Sequence, residues 1–251
     1  MLKINFKYIA RKVPEITVYF WIIKLLTTAM GEVTSDFFVH RFNPIIAVIF
    51  GGIALIVALI LQFWVKKYVA WVYWLAVVMV AIFGTMVADV LHIGFGIPYI
   101  VSTVFFAVSL AVVFLVWYKT ENTLSIHSIN TFRREMFYWA AVITTFALGT
   151  AAGDMTAITL GLGYFASGVM FTILFFLPAL AYKLIKLNSI LVFWIAYILT
   201  RPLGASFADW IGKPQGLSGL GVGTGTVSIF LTVLIVIFVG YMAISRKDIK
   251  D

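Results

Sequence analysis

The stretch YWAAVITTFALGTAAGD, residues 138–154, opens on an aromatic-Trp pair, reaches Gly149 ten residues after Trp139 and ends on Asp154 five residues later. The same phrase is written three more times: Phe20-Trp21, Gly31, Asp36; Tyr73-Trp74, Gly84, Asp89; and Phe193-Trp194, Gly204, Asp209. From Trp to Asp the interval is fifteen residues in all four. Each phrase lies in a long apolar run, so the chain sets one carboxylate at a common depth in four membrane helices, where an ionisable group is costly and marks function. At 1.5 Å per residue each Asp stands about 22 Å beyond its Trp, in the outer half of a bilayer. Four matched, roughly coplanar carboxylates point to one shared site.

The surrounding composition fits that reading. Hydrophobic residues make up 63% of the 251 and charged residues 11%, with a mean hydropathy of +1.08, far from a soluble domain. Spanning-length apolar runs fall at roughly 15–39, 44–65, 69–92, 98–118, 136–157, 160–184, 188–210 and 223–244. The expected fold is an all-α integral membrane protein, a single membrane domain over 1–251 with eight transmembrane helices. The longest break, Lys119 to Glu135, is too short for a catalytic domain, so no enzyme activity is expected.

The net charge of +8 is a topology signal, not a nucleic-acid surface. Lys3, Lys7, Arg11, Lys12, Lys66, Lys67, Lys119, Arg133, Arg134, Lys183, Lys186, Arg246, Lys247 and Lys250 fall on one side of an eight-span arrangement. Only Arg41 and Lys213 fall on the other, which puts both termini in the cytoplasm by the positive-inside rule. The first apolar run is too long for a signal peptide and contains Lys24, Glu32 and Asp36, so it is expected to remain in the protein. With no Cys, disulfides, thiolate ligands and Cys-pair quinone chemistry are excluded.

The phrases start 53, 65 and 55 residues apart, so each unit is a two-span helical hairpin, with repeats at about 13–66, 67–119, 132–187 and 188–245. Two spans per unit make the repeats parallel, around an axis along the membrane normal, in a pseudo-four-fold or two-plus-two arrangement. The motif-bearing odd helices are expected to line the centre, and the plainer even helices to face lipid or pack. An interfacial aromatic belt accounts for Trp21, Trp74, Trp139 and Trp194 as a residue type, but not for their fixed register. Gly31, Gly84, Gly149 and Gly204 begin small-xxx-small pairs with Ser35, Ala88, Gly153 and Ala208, a pattern for close helix approach. The alternative is a hinge that frees carbonyls for the site.

Inside the membrane stand Glu32, Asp36, Asp89, Asp154 and Asp209, against Lys24 and Arg201 as counter-ions. Such crowded acids cannot all be ionised without a cation; empty they hold protons, which a bound cation displaces. One turn before each Asp, at the position of Glu32, the other units carry Thr85, Thr150 and Ala205, so Thr85 and Thr150 are candidate oxygen ligands. Oxygen donors without Cys select hard cations: Mn²⁺, Mg²⁺ or Ca²⁺. Met30, Met86 and Met155 lie within the phrases, where packing is the ordinary role, and a thioether would favour Mn²⁺. His40 and His92 stand near the outer mouth, where interfacial solvation competes with ion or proton passage, and His127 lies in a polar loop. Haem lacks paired His, and a retinal Lys would leave four repeated Asp unexplained. The Gly-rich run from Gly212 to Gly225 lacks the ending of a phosphate loop and reads as a flexible outer loop.

On these residues the chain resembles a bacterial membrane-protein family of unknown function, built of four tandem two-span repeats, each with a characteristic Trp. The resemblance runs from about Val13 to Tyr241, with KVPEITVYFW (12–21) and TRPLGASFADW (200–210) as its most recognisable segments. It implies a bacterial cytoplasmic (inner) membrane and this fold, and supplies no substrate. The function expected from the carboxylates is proton-coupled secondary transport, outward, of a hard divalent metal such as Mn²⁺, with Asp36, Asp89, Asp154, Asp209 and Glu32 as its ligands. Two alternatives are a proton or monovalent-cation channel with the Asp ring as filter, and a structural protein with a buried salt-bridge network. No tightly bound cofactor is expected; the expected partners are membrane lipid and the inorganic cation, with a homo-oligomer open.

Overall fold

A computed structural model describes residues 11–249, which are helical with no strand among them. Eight long helices follow one another: α1 Val18–Arg41, α2 Pro44–Trp64, α3 Ala70–Asp89, α4 Tyr99–Glu121, α5 Phe132–Asp154, α6 Gly163–Ile185, α7 Ser189–Gly212 and α8 Thr224–Ser245. Their starts are written locally. Thr17, Asn43, Thr131 and Asn188 cap α1, α2, α5 and α7 by accepting main-chain N–H bonds, and Pro44 takes the first turn of α2, where no N–H is needed. Seven of the eight are long and apolar enough to cross a membrane. The other, α1, is as long but carries Lys24, Glu32, Asp36 and Arg41. The basic residues Lys3, Lys7 and Lys250, which entered the topology argument, lie outside the described residues.

The odd helices form the centre. In α3, α5 and α7, 56–61% of the most apolar window is buried, against 17–22% in α2, α4, α6 and α8, whose Ile, Val, Leu and Phe side chains face outward. Helix α1 packs on α3, α3 on α5, α5 on α7, and α7 back on α1, closing a ring. The hairpins are more splayed than the repeat lengths suggest. Each even helix rests on the odd helix of the following unit: α2 on α3, α4 on α5, α6 on α7, with α8 closing on α1. Every unit boundary is therefore bridged by a helix from the preceding unit, and the last bridge joins the two ends of the chain.

Two cyclic contacts hold the ring. The aromatic residue before each Trp packs on the Trp of the next unit: Phe20 on Trp74, Tyr73 on Trp139, Tyr138 on Trp194 and Phe193 on Trp21, with centroids 5.6, 5.7, 6.2 and 5.8 Å apart. Each such pair adds about 0.5–1.5 kcal/mol beyond its area. Trp74, Trp139 and Trp194 are accordingly buried and Trp21 half-buried, so the fixed register reflects packing between units and not a belt at the membrane surface.

Further along, each phrase glycine meets the residue seven after the Trp of the next unit. A Cβ on Gly84 would lie 3.1 Å from Phe146 Cβ, and one on Gly149 would lie 2.5 Å from Arg201 Cβ. Gly31 meets Ala81 and Gly204 meets Thr28 in the same way. The α-helices run unbroken through all four glycines, each of which packs closely on the neighbouring unit. Departures from α geometry come later: one π-helical turn, Val90–Gly94, follows Asp89 and another, Met155–Thr159, follows Asp154. Such turns widen a helix and recur at functional sites.

Candidate functional site

Positions −1, +3, +7, +11 and +15 from each repeat Trp recur every fourth residue and so follow one slowly drifting face of each odd helix. The first layer is aromatic: Phe20, Tyr73, Tyr138 and Phe193, with the hydroxyls of Tyr73 and Tyr138 hydrogen-bonded to each other. Lys24 occupies the next layer with Tyr197. Its ammonium is buried with no hydrogen-bond partner among the described residues, and lies 3.8 Å from the ring centre of Phe146 and 4.0 Å from that of Tyr197. Aromatic faces supply the attraction that a carboxylate would otherwise provide. Lys24 thus neutralises no acid directly, contrary to the counter-ion role its spacing suggests.

Arg201 crosses the axis one layer further on. Its Nη2 donates to Glu32 Oε2 at 2.5 Å, to Thr150 Oγ1 at 2.8 Å and to Thr85 Oγ1, while Nη1 reaches the Thr28 carbonyl at 3.5 Å. One guanidinium from α7 therefore ties α1, α3 and α5 together. Both threonine hydroxyls also donate to carbonyls four residues back, Ala81 and Phe146. Thr85 and Thr150 hold Arg201 and are not free oxygen ligands, a correction to their expected role. Unit four has Ala205 at this level, the small side chain that leaves the centre to the guanidinium arriving from one turn earlier.

The Asp carboxylates stand at the following level, one turn beyond Glu32. One oxygen each from Glu32, Asp154 and Asp209 lies within 4.8 Å of the others, all three residues buried. Asp36 and Asp89 are not part of this trio, so three of the five expected acids converge this closely. Asp209 Oδ1 is buried without a hydrogen-bond partner. Its other oxygen accepts from Lys213 Nζ at 3.1 Å, and the same ammonium lies 3.5 Å from Asp36 Oδ2 and 3.3 Å from Tyr164 Oη. Lys213 is a site residue that the sequence reading counted only as an outer-loop charge. The signal was present: Lys213 follows Asp209 by four residues, one turn along the same face. If all were ionised, the five acids would stand against three bases, Lys24, Arg201 and Lys213, an excess of two negative charges. Asp89 and Asp154 make no ion pair among the described residues.

The histidines are spoken for. His92 Nδ1 lies 2.8 Å from the Ile97 carbonyl and its Nε2 3.2 Å from Ser102 Oγ, while His40 Nδ1 lies 2.8 Å from the Asp36 carbonyl. The Gly-rich run is folded, not loose. A short 3₁₀ turn, Gln215–Leu217, is followed by main-chain N–H bonds from Leu220, Gly221, Val222 and Gly223 back to the carbonyls of Trp210, Lys213, Ile211 and Gly212.

At the opposite end lies a network that the sequence reading missed. Glu135 is fully buried and accepts from Lys12 Nζ at 2.5 Å and Gln62 Nε2 at 2.8 Å; Lys12 also donates to the Phe63 carbonyl at 3.1 Å. The Tyr68 hydroxyl donates to Asp248 at 2.5 Å, and burial, with that acid beside it, pushes the phenol's pKa up. The Glu15 N–H donates to the Asp248 carbonyl at 2.9 Å, so the residues around Lys12 and Glu15 are fastened to α2, α5 and the segment after α8.

No curated protein and no solved structure matches the chain. The family comparison matches residues 19–68, 72–123, 137–187 and 192–248, one stretch for each Trp-Gly-Asp phrase, and the chain belongs to the family described as Repeat of Unknown Function (DUF347).

Proposed function

We propose that this protein is a proton-coupled secondary transporter of a hard divalent cation, Mn²⁺ in the first instance, carried outward across a bacterial inner membrane. All eight long helices span, with both termini in the cytoplasm, and membrane lipid surrounds the even helices. The observation that carries the reading is the trio Glu32, Asp154 and Asp209: three buried carboxylates from α1, α5 and α7 whose oxygens converge within 4.8 Å. Oxygen donors at that spacing suit a hard cation. The unpartnered Oδ1 of Asp209 and the excess of two negative charges support a site that is completed by a cation or by protons.

The same features weigh against the two alternatives. A closed salt-bridge network would pair its acids, whereas Asp89 and Asp154 lack basic partners among the described residues. A simple channel along the axis would need an opening at the level where Arg201 links α1, α3 and α5. Exchange requires only that the site be reached from one side at a time.

Calorimetry on the purified protein with Mn²⁺, Mg²⁺, Ca²⁺ and Zn²⁺ tests the reading. Saturable binding with proton release is expected in the wild type, lost in Asp154→Asn and weakened in Asp89→Asn. Proteoliposomes carrying an internal pH dye then report whether Mn²⁺ flux moves protons in the opposite direction. No binding of any divalent ion would overturn the proposal.

A further inference from the structure

Lys213 is the first residue beyond α7, and its main chain is pinned. Its carbonyl accepts from Gly221 at 2.9 Å, and Gly219 packs against that carbonyl so closely that a Cβ there would overlap it. The side chain, by contrast, is held only at its tip, by Asp209, Asp36 and Tyr164, and remains 18% exposed. A fixed backbone with a four-carbon stem and a single charged end is an arm with one anchored pivot.

The tip sits on the trio's own ligand. Asp209 offers Oδ2 to Lys213 while its other oxygen has no partner, so any cation drawn to Asp209 meets the ammonium at the same carboxylate. Asp36 is held in the same way. We infer that Lys213 is a tethered competitor of the transported cation: its ammonium satisfies Asp209 and Asp36 between transport events and must swing outward for a divalent ion to bind. The inference rests on the transporter reading and adds to it a residue that sets affinity. Because the competitor is attached to the protein, the site is never left with all its charges uncompensated, and release of the divalent ion is assisted by the returning lysine. Tyr164, whose ring centre lies 4.9 Å from the ammonium, supports the docked position.

A competitor that occupies the site about nine-tenths of the time weakens apparent affinity about ten-fold. Calorimetric titration of Mn²⁺ into Lys213→Ala should therefore give a Kd about ten-fold lower than wild type with the same stoichiometry, and Lys213→Arg should keep the weaker affinity. In wild-type protein, an amine-reactive reagent read out by peptide mass spectrometry should modify Lys213 several-fold faster at saturating Mn²⁺ than without it, with exposed Lys66 and Lys67 as references. If wild type binds Mn²⁺ but the alanine variant binds equally or more weakly, or if Lys213 labelling ignores Mn²⁺, the competitor role is wrong while the transporter reading stands. If neither protein binds Mn²⁺, both fall.

Discussion

Replacing Arg201 tests the central architecture most sharply, because one side chain serves three neighbouring helices. Arg201→Leu keeps bulk at the axis but strips Glu32 of its only side-chain hydrogen-bond partner among the described residues. Removing one member of a buried pair typically costs about 3–5 kcal/mol, because the other charge is left uncompensated. Glu32→Gln is the milder change. It leaves Arg201 with Thr85, Thr150 and the Thr28 carbonyl, so only the charged acceptor is lost, a cost of about 1–3 kcal/mol. The two should not add: in the double variant the orphaned charge is gone, and a coupling of about 1–3 kcal/mol is expected. Equilibrium unfolding of purified protein from mild detergent into a denaturing one, followed by the fluorescence of the eight Trp, measures all four proteins. Additivity within about 0.5 kcal/mol would refute the bridging role of Arg201.

Gly149→Ala should destabilise the ring by about 1–3 kcal/mol through overpacking on Arg201 and Pro202, whereas Gly240→Ala in α8, where a Cβ meets nothing within 4 Å, should be neutral or slightly stabilising; thermal unfolding compares them. Trp139→Ala removes a buried ring and should cost about 3–5 kcal/mol, while the same change at half-buried Trp21 should cost measurably less in the same assay. Glu135→Gln should loosen the attachment of the residues around Lys12 by about 1–3 kcal/mol, read as faster hydrogen exchange in residues 11–17 with α5 unchanged; equal exchange in both proteins would remove the latch role.

The intervals of the phrase made the ring legible. The aromatic-Trp pair and the Gly recur at fixed steps because each packs on a neighbouring unit, and a register that strict is visible without coordinates. The acids were equally legible, since a carboxylate recurs at one depth in four apolar runs. Partners were harder to read. Thr85 and Thr150 offer hydroxyl oxygens that suit a metal as well as a guanidinium, and only their convergence on Arg201 decides between them. Lys24 looked like a counter-ion because charge suggests charge, whereas its neighbours at the same depth are the faces of Phe146 and Tyr197. Lys213 reads in the sequence only as an outer-side charge, because the folding of the Gly-rich run around it depends on main-chain hydrogen bonds that leave little trace in composition. The splayed hairpins were likewise hidden, since loop lengths do not say which neighbouring odd helix an even helix will choose.

The fourth unit departs from the others in a way that bears on mechanism. Units one to three present an oxygen at the level above Arg201, from Glu32, Thr85 and Thr150, and all three oxygens are taken by unit four's guanidinium. A perfect four-fold ring would have left an open axial column lined by like residues, a geometry suited to continuous conduction. Arg201 and Ala205 convert it into a floor beneath the carboxylates, with the buried ammonium of Lys24 one layer further in. In the proposed transporter, a cation arriving at Glu32, Asp154 and Asp209 would meet that positive floor and would continue along the axis only if Arg201 released Glu32. Glu32 belongs to both the trio and the Arg201 bridge, so cation binding there would compete for the very carboxylate that holds the floor closed. On the transporter proposal, occupancy of the site and opening toward the opposite side would be coupled through one side chain, which is the physical requirement that separates a carrier from a pore.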